Sequence, residues 1–277
     1  MRRQKDKWPI AADWPEIVRR VRARTPARLL AGRAGAAYRT ETQIELREAH
    51  AAARDAVRAE FELRGIFPAN FVVQWQLFEV ATQARDKQEY LLRPDLGRRF
   101  DRAARTAIET RCSKENDVQI AIGDGLSVPA VAAQVPALVP LLHRKCAERG
   151  WSIGQAFVIR HCRVGILNEI GELLAPRVAV LLIGERPGLA TAESLSAYMA
   201  YRPNASHTDA NRNLISNIHA RGLSASAAVD RIIHLAERMI AEQTSGCNLK
   251  IDAREEFSRT PPKIGNAKNR ADGEEKS

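Results

Sequence analysis

The sequence predicts an α/β protein, in which a helical N-terminal part precedes an open, mostly parallel sheet covered by helices on both faces. Three observations carry this. From Asp117 onward, apolar runs alternate with helix-patterned stretches, as in a parallel sheet built from crossover units. Those runs (VQIAI, AFVI and VAVLLI) are continuously apolar, as strands buried on both faces are. Upstream, apolar residues recur at helical spacing instead. The chain therefore divides into a lead over 1–22, a helical N-terminal domain over 23–108, the sheet domain over 109–250, and a polar, Pro-containing tail over 251–277 that is expected to be disordered.

The lead is charged, and a short helix is predicted from Trp14 to Val21. Thr25-Pro26 reads as an N-cap with Pro at the first helical position, and Gly32 and Gly35 break that segment. Thr40 is the next N-cap signal. Thr42 to Phe61 sets Ile44, Leu46, Ala49, Ala52, Ala53, Ala56 and Val57 on one helical face. Residues 64–80, RGIFPANFVVQWQLFEV, read as a turn and a short strand. Pro94-Asp95 opens a helix whose face carries Leu96, Phe100, Ala103 and Ala107. VQIAIGDGLS is a strand closed by Gly-Asp-Gly, and VPAVAAQVPALVPLLHRKCAERG is a helix ending at Gly150. QAFVIRHCRV is a strand, ILNEIGELLAP a helix, RVAVLLIGERPG a strand and NLISNIHARG a further strand. SASAAVDRIIHLAERMIAEQTSG is an amphipathic helix with Ser224 as N-cap and Gly246 as C-cap.

Composition narrows the function classes. Forty-three basic against 33 acidic residues give a net charge of +10. That balance favours nucleic acid, anionic membrane, phosphate ligands or an acidic protein, yet the charges are dispersed as on a solvated surface. The four cysteines are far apart, with no C-x-x-C pair, so neither a zinc site nor a disulfide scaffold is signalled, and reduced thiols fit a cytoplasmic setting. The N-terminus has charge but no apolar h-region. The longest apolar run, Val178 to Ile183, falls far short of the ~20 residues of a membrane span.

Two strands end alike, in Ile122-Gly123-Asp124-Gly125 and Ile183-Gly184-Glu185-Arg186. Ligands of open α/β sheets bind beyond the carboxyl ends of strands. An acid there can accept hydrogen bonds, and a glycine lets a bulky ligand approach the backbone. Ordinary strand-end turns give the same pattern. Ser194, Ser196, Tyr198 and Tyr201 follow, then Asp209, Arg212, Asn213, Ser216, Asn217 and His219, a density of hydrogen-bonding groups that suits a wide polar interface. Other signals fail: GDGLSV lacks the third glycine of a dinucleotide fingerprint, and there is no P-loop, no G-x-S-x-G elbow and no metal spacing among the histidines. Asn217-x-His219-x-x-Gly222 resembles the D-x-H-x-x-G signature of cobalamin domains that offer a histidine to cobalt, but Asn replaces the acid that would orient and charge the imidazole, and a structural histidine is the competing reading.

GERPGL, ESLSAYMAYRP, the N-x-I-S-N-I-H segment, DVQIAIGDGLS, EYLLRPDLGRR and TPARLLAGRAG stand in the order of the ethanolamine ammonia-lyase small-subunit family, which the chain resembles over roughly residues 20–250. The resemblance implies a Rossmann-like sheet domain in a subunit that covers adenosylcobalamin. It also implies a TIM-barrel large subunit that holds ethanolamine and a hexamer of heterodimers. The enzyme converts ethanolamine to acetaldehyde and ammonia through a deoxyadenosyl radical, the cobalt keeping the cofactor's own nucleotide base. Three cobalamin contacts carry over: Val164 after the second strand, Glu185 of G-E-R-P-G, and Leu214 before I-S-N, where relatives can have Cys. The resemblance places no catalytic residue and no metal ligand on this chain, and implies an isolated chain without activity, since the cofactor carries the radical chemistry. Some relatives carry a longer N-terminal extension linked to packaging in a protein shell. The short lead here gives that no support, and neither a nucleic-acid nor a membrane partner is expected. Two other classes compete: a stand-alone nucleotide-binding oxidoreductase, which needs a glycine loop that is missing, and a basic nucleic-acid-binding module.

Overall fold

The computed structural model describes residues 16–25, 29, 31 and 33–249. The lead before Glu16, the Pro26 position, Gly32 and the tail over 251–277 lie outside the described residues.

Helix α1 (Glu16–Ala23), a hairpin of β1 (Arg33–Ala34) and β2 (Ala37–Tyr38), and helix α2 (Thr40–Arg58) open the chain. Gly35 makes the hairpin turn with φ +64°, a conformation costly for other residues. Thr40 is the first residue of α2 rather than its cap, and Arg39 precedes it without a side-chain cap bond. Only Ala56 of α2 is buried, because the helix leans on the domain with one shallow face.

The segment read as a turn and strand contains two short helices, α3 (Leu63–Ile66) and α4 (Ala69–Gln74), before strand β3 (Phe78–Ala81). Phe67, Phe71 and Trp75 recur every four residues and stack along one side, with centroids 5.4 and 6.3 Å apart. Helical spacing prevails there over aromatic content. After α5 (Lys87–Leu92), Leu96–Arg98 forms only a 3-10 turn, and α6 (Arg102–Arg111) starts later than predicted. Asp101 caps it by accepting from Ala104 N at 2.6 Å, while the Phe100 N–H is drawn to Glu169.

Strands β4 (Val118–Gly123), β5 (Phe157–Arg160) and β6 (Val178–Gly184) alternate with α7 (Val128–Ala147) and α8 (Ile166–Leu174), as the apolar runs predict. The chain then adds β7 (Leu195–Tyr201), β8 (Asn213–Ile218) and α9 (Ala225–Glu242). Ser127 and Ser224 cap α7 and α9 by accepting from Ala130 N and Ala227 N. Helix α7 ends at Ala147, short of Gly150, and α9 ends on Gln243 in the left-handed region, not on Gly246.

The six strands stand in the order β3-β5-β4-β6-β7-β8. The first four run parallel; β7 and β8 are antiparallel to their neighbours. Helices α7 and α9 cover one face around Val131, Leu138, Ile232 and Ile233. Helices α6 and α8 cover the other, but only over β3, β5, β4 and β6, where Ile108, Ile166 and Ile170 meet Phe157, Ala179 and Leu181. No described helix is long and apolar enough to cross a membrane.

Candidate functional site

The site lies at the two strands, β7 and β8, that α6 and α8 leave uncovered. Strand β7 turns Leu195, Ala197 and Met199 into the core beneath α9. Its alternate residues, Ser194, Ser196 and Tyr198, therefore face the other way. On β8, Ile215 and Ile218 are buried while Leu214, Ser216 and Asn217 are exposed, Leu214 by 48%. A bulge between the Leu195–Ile218 and Ala197–Ile215 pairs interrupts the alternation, and Asn217 takes φ +62° there. The exposed side of β8, with Leu214, Ser216 and Asn217, thus borders a β7 edge whose Ser194 and Ser196 are buried beneath Glu185 and whose Tyr198 is half-buried.

Strand directions bring Val164 and Glu185 to one edge of the sheet, whereas Leu214 lies further along β8. Parallel β4, β5 and β6 all end at one edge; β7 begins there and β8 ends there. Val164 lies just past β5, half-buried against the cluster under α8. Its carbonyl accepts from Leu167 N at 3.2 Å, in the first turn leading into α8. Leu214 pairs with Tyr198 in the middle of the antiparallel ladder.

The two Gly-acid strand ends, alike in sequence, do different things. Asp124 is fully buried: its Oδ1 accepts from Cys162 N at 2.7 Å and its Oδ2 lies 3.3 Å from Lys87 Nζ. It is spent inside the chain and offers nothing to a ligand. Glu185 is half-buried on the open side. Its Oε2 accepts from Ser194 Oγ at 2.6 Å; its Oε1 accepts from Ser196 Oγ and, at 3.4 Å, from Asn217 N. A carboxylate has about four lone-pair positions, so Oε2 retains acceptor capacity toward the open face.

The glycines are also demanded by the fold itself. A Cβ on Gly184 would overlap Ser127 O and come 2.6 Å from Asp124 O, so the space next to it is filled by the β4–α7 turn rather than left clear for a ligand. Gly125, at φ +57°, lies against Gly184 O in the same way.

Burial, and then the charge of Glu185, raise the Tyr198 phenol above its ordinary value, so it faces the site neutral. His219 is buried with both ring nitrogens engaged: Nε2–H donates to Asn217 Oδ1 at 2.7 Å and Nδ1 accepts from Arg221 N at 3.3 Å. That is the structural reading, and no described group of His, Cys, Asp or Glu could hold a metal ion.

A cavity of about 460 Å³ reaches Gly165 and lies between the Leu96–Arg98 turn, α8 and residues 205–212. Arg98, Asn168 and Arg212 line it, and Arg212 donates to Asn168 Oδ1 at 2.8 Å. Val164, Glu185 and Leu214 all lie outside its walls, so it is separate from the three predicted contacts.

Sequence reading singled out Ser194 and Ser196 as polar but missed that they hold Glu185; the Ser-x-Ser period of two was the available signal for a strand with one polar face. Lys87 carried no local signal, because its partner stands 37 residues away.

The ethanolamine ammonia-lyase light chain (EutC) family model matches residues 15–250. The chain is 42% identical over 230 residues to the ethanolamine ammonia-lyase small subunit of Clostridium perfringens, covering 83% of this chain and 76% of that protein. It is 39% identical over 236 residues to the small subunit of Clostridium acetobutylicum, covering 85% and 95%. It is 40% identical over 236 residues to that of Rhodopseudomonas palustris, covering 85% and 90%.

Proposed function

The chain belongs to the ethanolamine ammonia-lyase light-chain family, and from that premise we propose that it is the small subunit of an adenosylcobalamin-dependent lyase that converts ethanolamine to acetaldehyde and ammonia in the cytoplasm, its open β7–β8 face covering the cofactor. One observation supports the reading: of six strands, the two that α6 and α8 leave uncovered carry Leu214 and lie beside Glu185, with Val164 at the same sheet edge under α8.

The residues present fit the group. Cobalamin presents a broad ring system with apolar surface and a rim of side-chain amides. Leu214 and Val164 supply apolar contact, and burying the exposed leucine contributes roughly 1 kcal/mol, about half of what full burial of such a side chain gives. Glu185 Oε2 accepts from an amide N–H; Ser216 and Asn217 offer further hydrogen bonds. Leu214 makes its contact through its side chain, so the loss of a sulfur at this position removes polarizability but keeps apolar area. Adenosylcobalamin supplies the radical chemistry when bound. This chain binds it, orients it by the fixed Glu185 and excludes water from one side. Substrate belongs to a TIM-barrel large subunit, and six such pairs form the assembly in this reading.

Hydrogen exchange on the complex of both subunits tests the assignment. Adding adenosylcobalamin is expected to slow exchange at Asn213–Ile218 and at Glu185, with little change in α9 on the opposite face. Equal protection on both faces, or none, removes the proposal.

A further inference from the structure

The EYLLRPDLGRR segment packs around the turn that carries Val164. Helix α5 lies over the ends of β4 and β5. Lys87 is 7% exposed at its side chain and sits 3.3 Å from both Asp124 Oδ2 and Gly125 O. Asp124 receives the Cys162 N–H, and Tyr90 Oη donates to the Cys162 carbonyl at 3.0 Å. The next residue is held too: Arg163 N donates to Gly97 O at 2.8 Å, its Nη2 donates to Tyr90 O at 3.1 Å, and its guanidinium lies 4.1 Å over the Tyr90 ring. Gly97 is required there, since a Cβ would fall 2.7 Å from Arg163 Cγ. On the other side, Leu126 N donates to Gly184 O at 3.1 Å, which ties the Asp124 turn to the turn that carries Glu185.

We infer that Lys87, Asp124 and Tyr90 form a buried clamp of positioning residues that sets Val164 and Glu185 relative to each other, and so tunes cofactor affinity without touching the cofactor. The inference rests on the cobalamin reading of that face. A buried ion pair adds little net stability over an apolar replacement, whereas removing one partner leaves a charge stranded. Such a pair in this place suits geometry better than stability: Asp124 faces Lys87 and the Cys162 N–H at once, so the charge fixes where two strand ends meet.

The test uses the complex of both subunits with three variants of this chain: Lys87→Met with Asp124→Asn, Tyr90→Phe, and Val164→Asp as control. The double variant removes both charges and keeps an oxygen for Cys162 N; Tyr90→Phe deletes one hydroxyl from a ring that stays in place. Cobalamin Kd and ethanolamine KM are measured side by side. Both clamp variants are expected to assemble and to raise the cobalamin Kd roughly tenfold, the lower end of the loss when an outer support of a bound centre is removed, with ethanolamine KM unchanged. A Kd within twofold of the unaltered complex for Tyr90→Phe, or for the assembled double variant, overturns the clamp. So does a rise of Kd and KM together, which marks general disruption of the complex. Val164→Asp separates the two ideas: if it leaves Kd unchanged, the cobalamin reading of this turn fails, and with it the premise of the clamp.

Discussion

Replacing Glu185 by Gln probes the residue on which the site depends most. The carboxylate accepts three hydrogen bonds from its own chain, from Ser194, Ser196 and Asn217. Gln keeps one acceptor oxygen. The two serine hydroxyls can rotate to accept from the new amide, and the Asn217 contact at 3.4 Å is long. The folded chain should therefore lose no more than about 1 kcal/mol, a fall of about 2–4 °C in unfolding temperature. The ligand loses more, because a hydrogen bond to a charged acceptor contributes about 1.5–3 kcal/mol and Gln presents a neutral one, or a donor. At about 1.4 kcal/mol per factor of ten, that is roughly a 10- to 100-fold rise in cobalamin Kd. Spectroscopic titration of the two-subunit complex with cobalamin, beside thermal unfolding of the variant, reads both quantities. A Kd within twofold of the starting value together with a large fall in unfolding temperature would refute the reasoning and make Glu185 an internal brace.

Three further expectations follow from the same geometry. Gly184→Ala forces a Cβ onto Ser127 O and Asp124 O and should cost about 1–3 kcal/mol or more, whereas Gly188→Ala, whose nearest neighbour is 4.0 Å away, should be tolerated; denaturant unfolding compares them. His219→Gln should destabilise the chain yet leave the visible spectrum of bound cobalamin unchanged, since neither ring nitrogen is free for cobalt; a spectral shift would reopen the ligand reading. Burial pushes the Cys112 and Cys146 thiols up to about 11 and raises Cys162 as well, so all three stay protonated at neutral pH, and their thiolate fractions grow only as pH approaches those values. An alkylating reagent at pH 7 should thus modify the exposed Cys247 alone in the folded chain and all four cysteines after denaturation, as counted by mass spectrometry.

The parallel part of the fold was legible because its strands are apolar on both faces. Strand β7 was not, and the reason is the site: LSAYMAY alternates, with Ser196 and Tyr198 on the side of Glu185, so it looked like a polar run and not a strand. Glu185 could be found from a Gly-acid strand end, but the same pattern at Asp124 pointed to a buried ion pair. Only the arrival of Lys87 from a distant helix separates the two, and no local spacing encodes it. The helix expected at Pro94 was displaced to Arg102 because Glu169, far along the chain, takes the Phe100 N–H at 2.5 Å and pairs with Arg105. In the last two cases a long-range polar contact overrode a local signal.

The central claim, that this chain completes a cobalamin enzyme rather than acting alone, is tested most directly by reconstitution. The large subunit, this chain and adenosylcobalamin are mixed in every combination, and acetaldehyde formed from ethanolamine is measured. The account predicts turnover only when all three are present. Full turnover without this chain, or turnover by this chain alone, would contradict it.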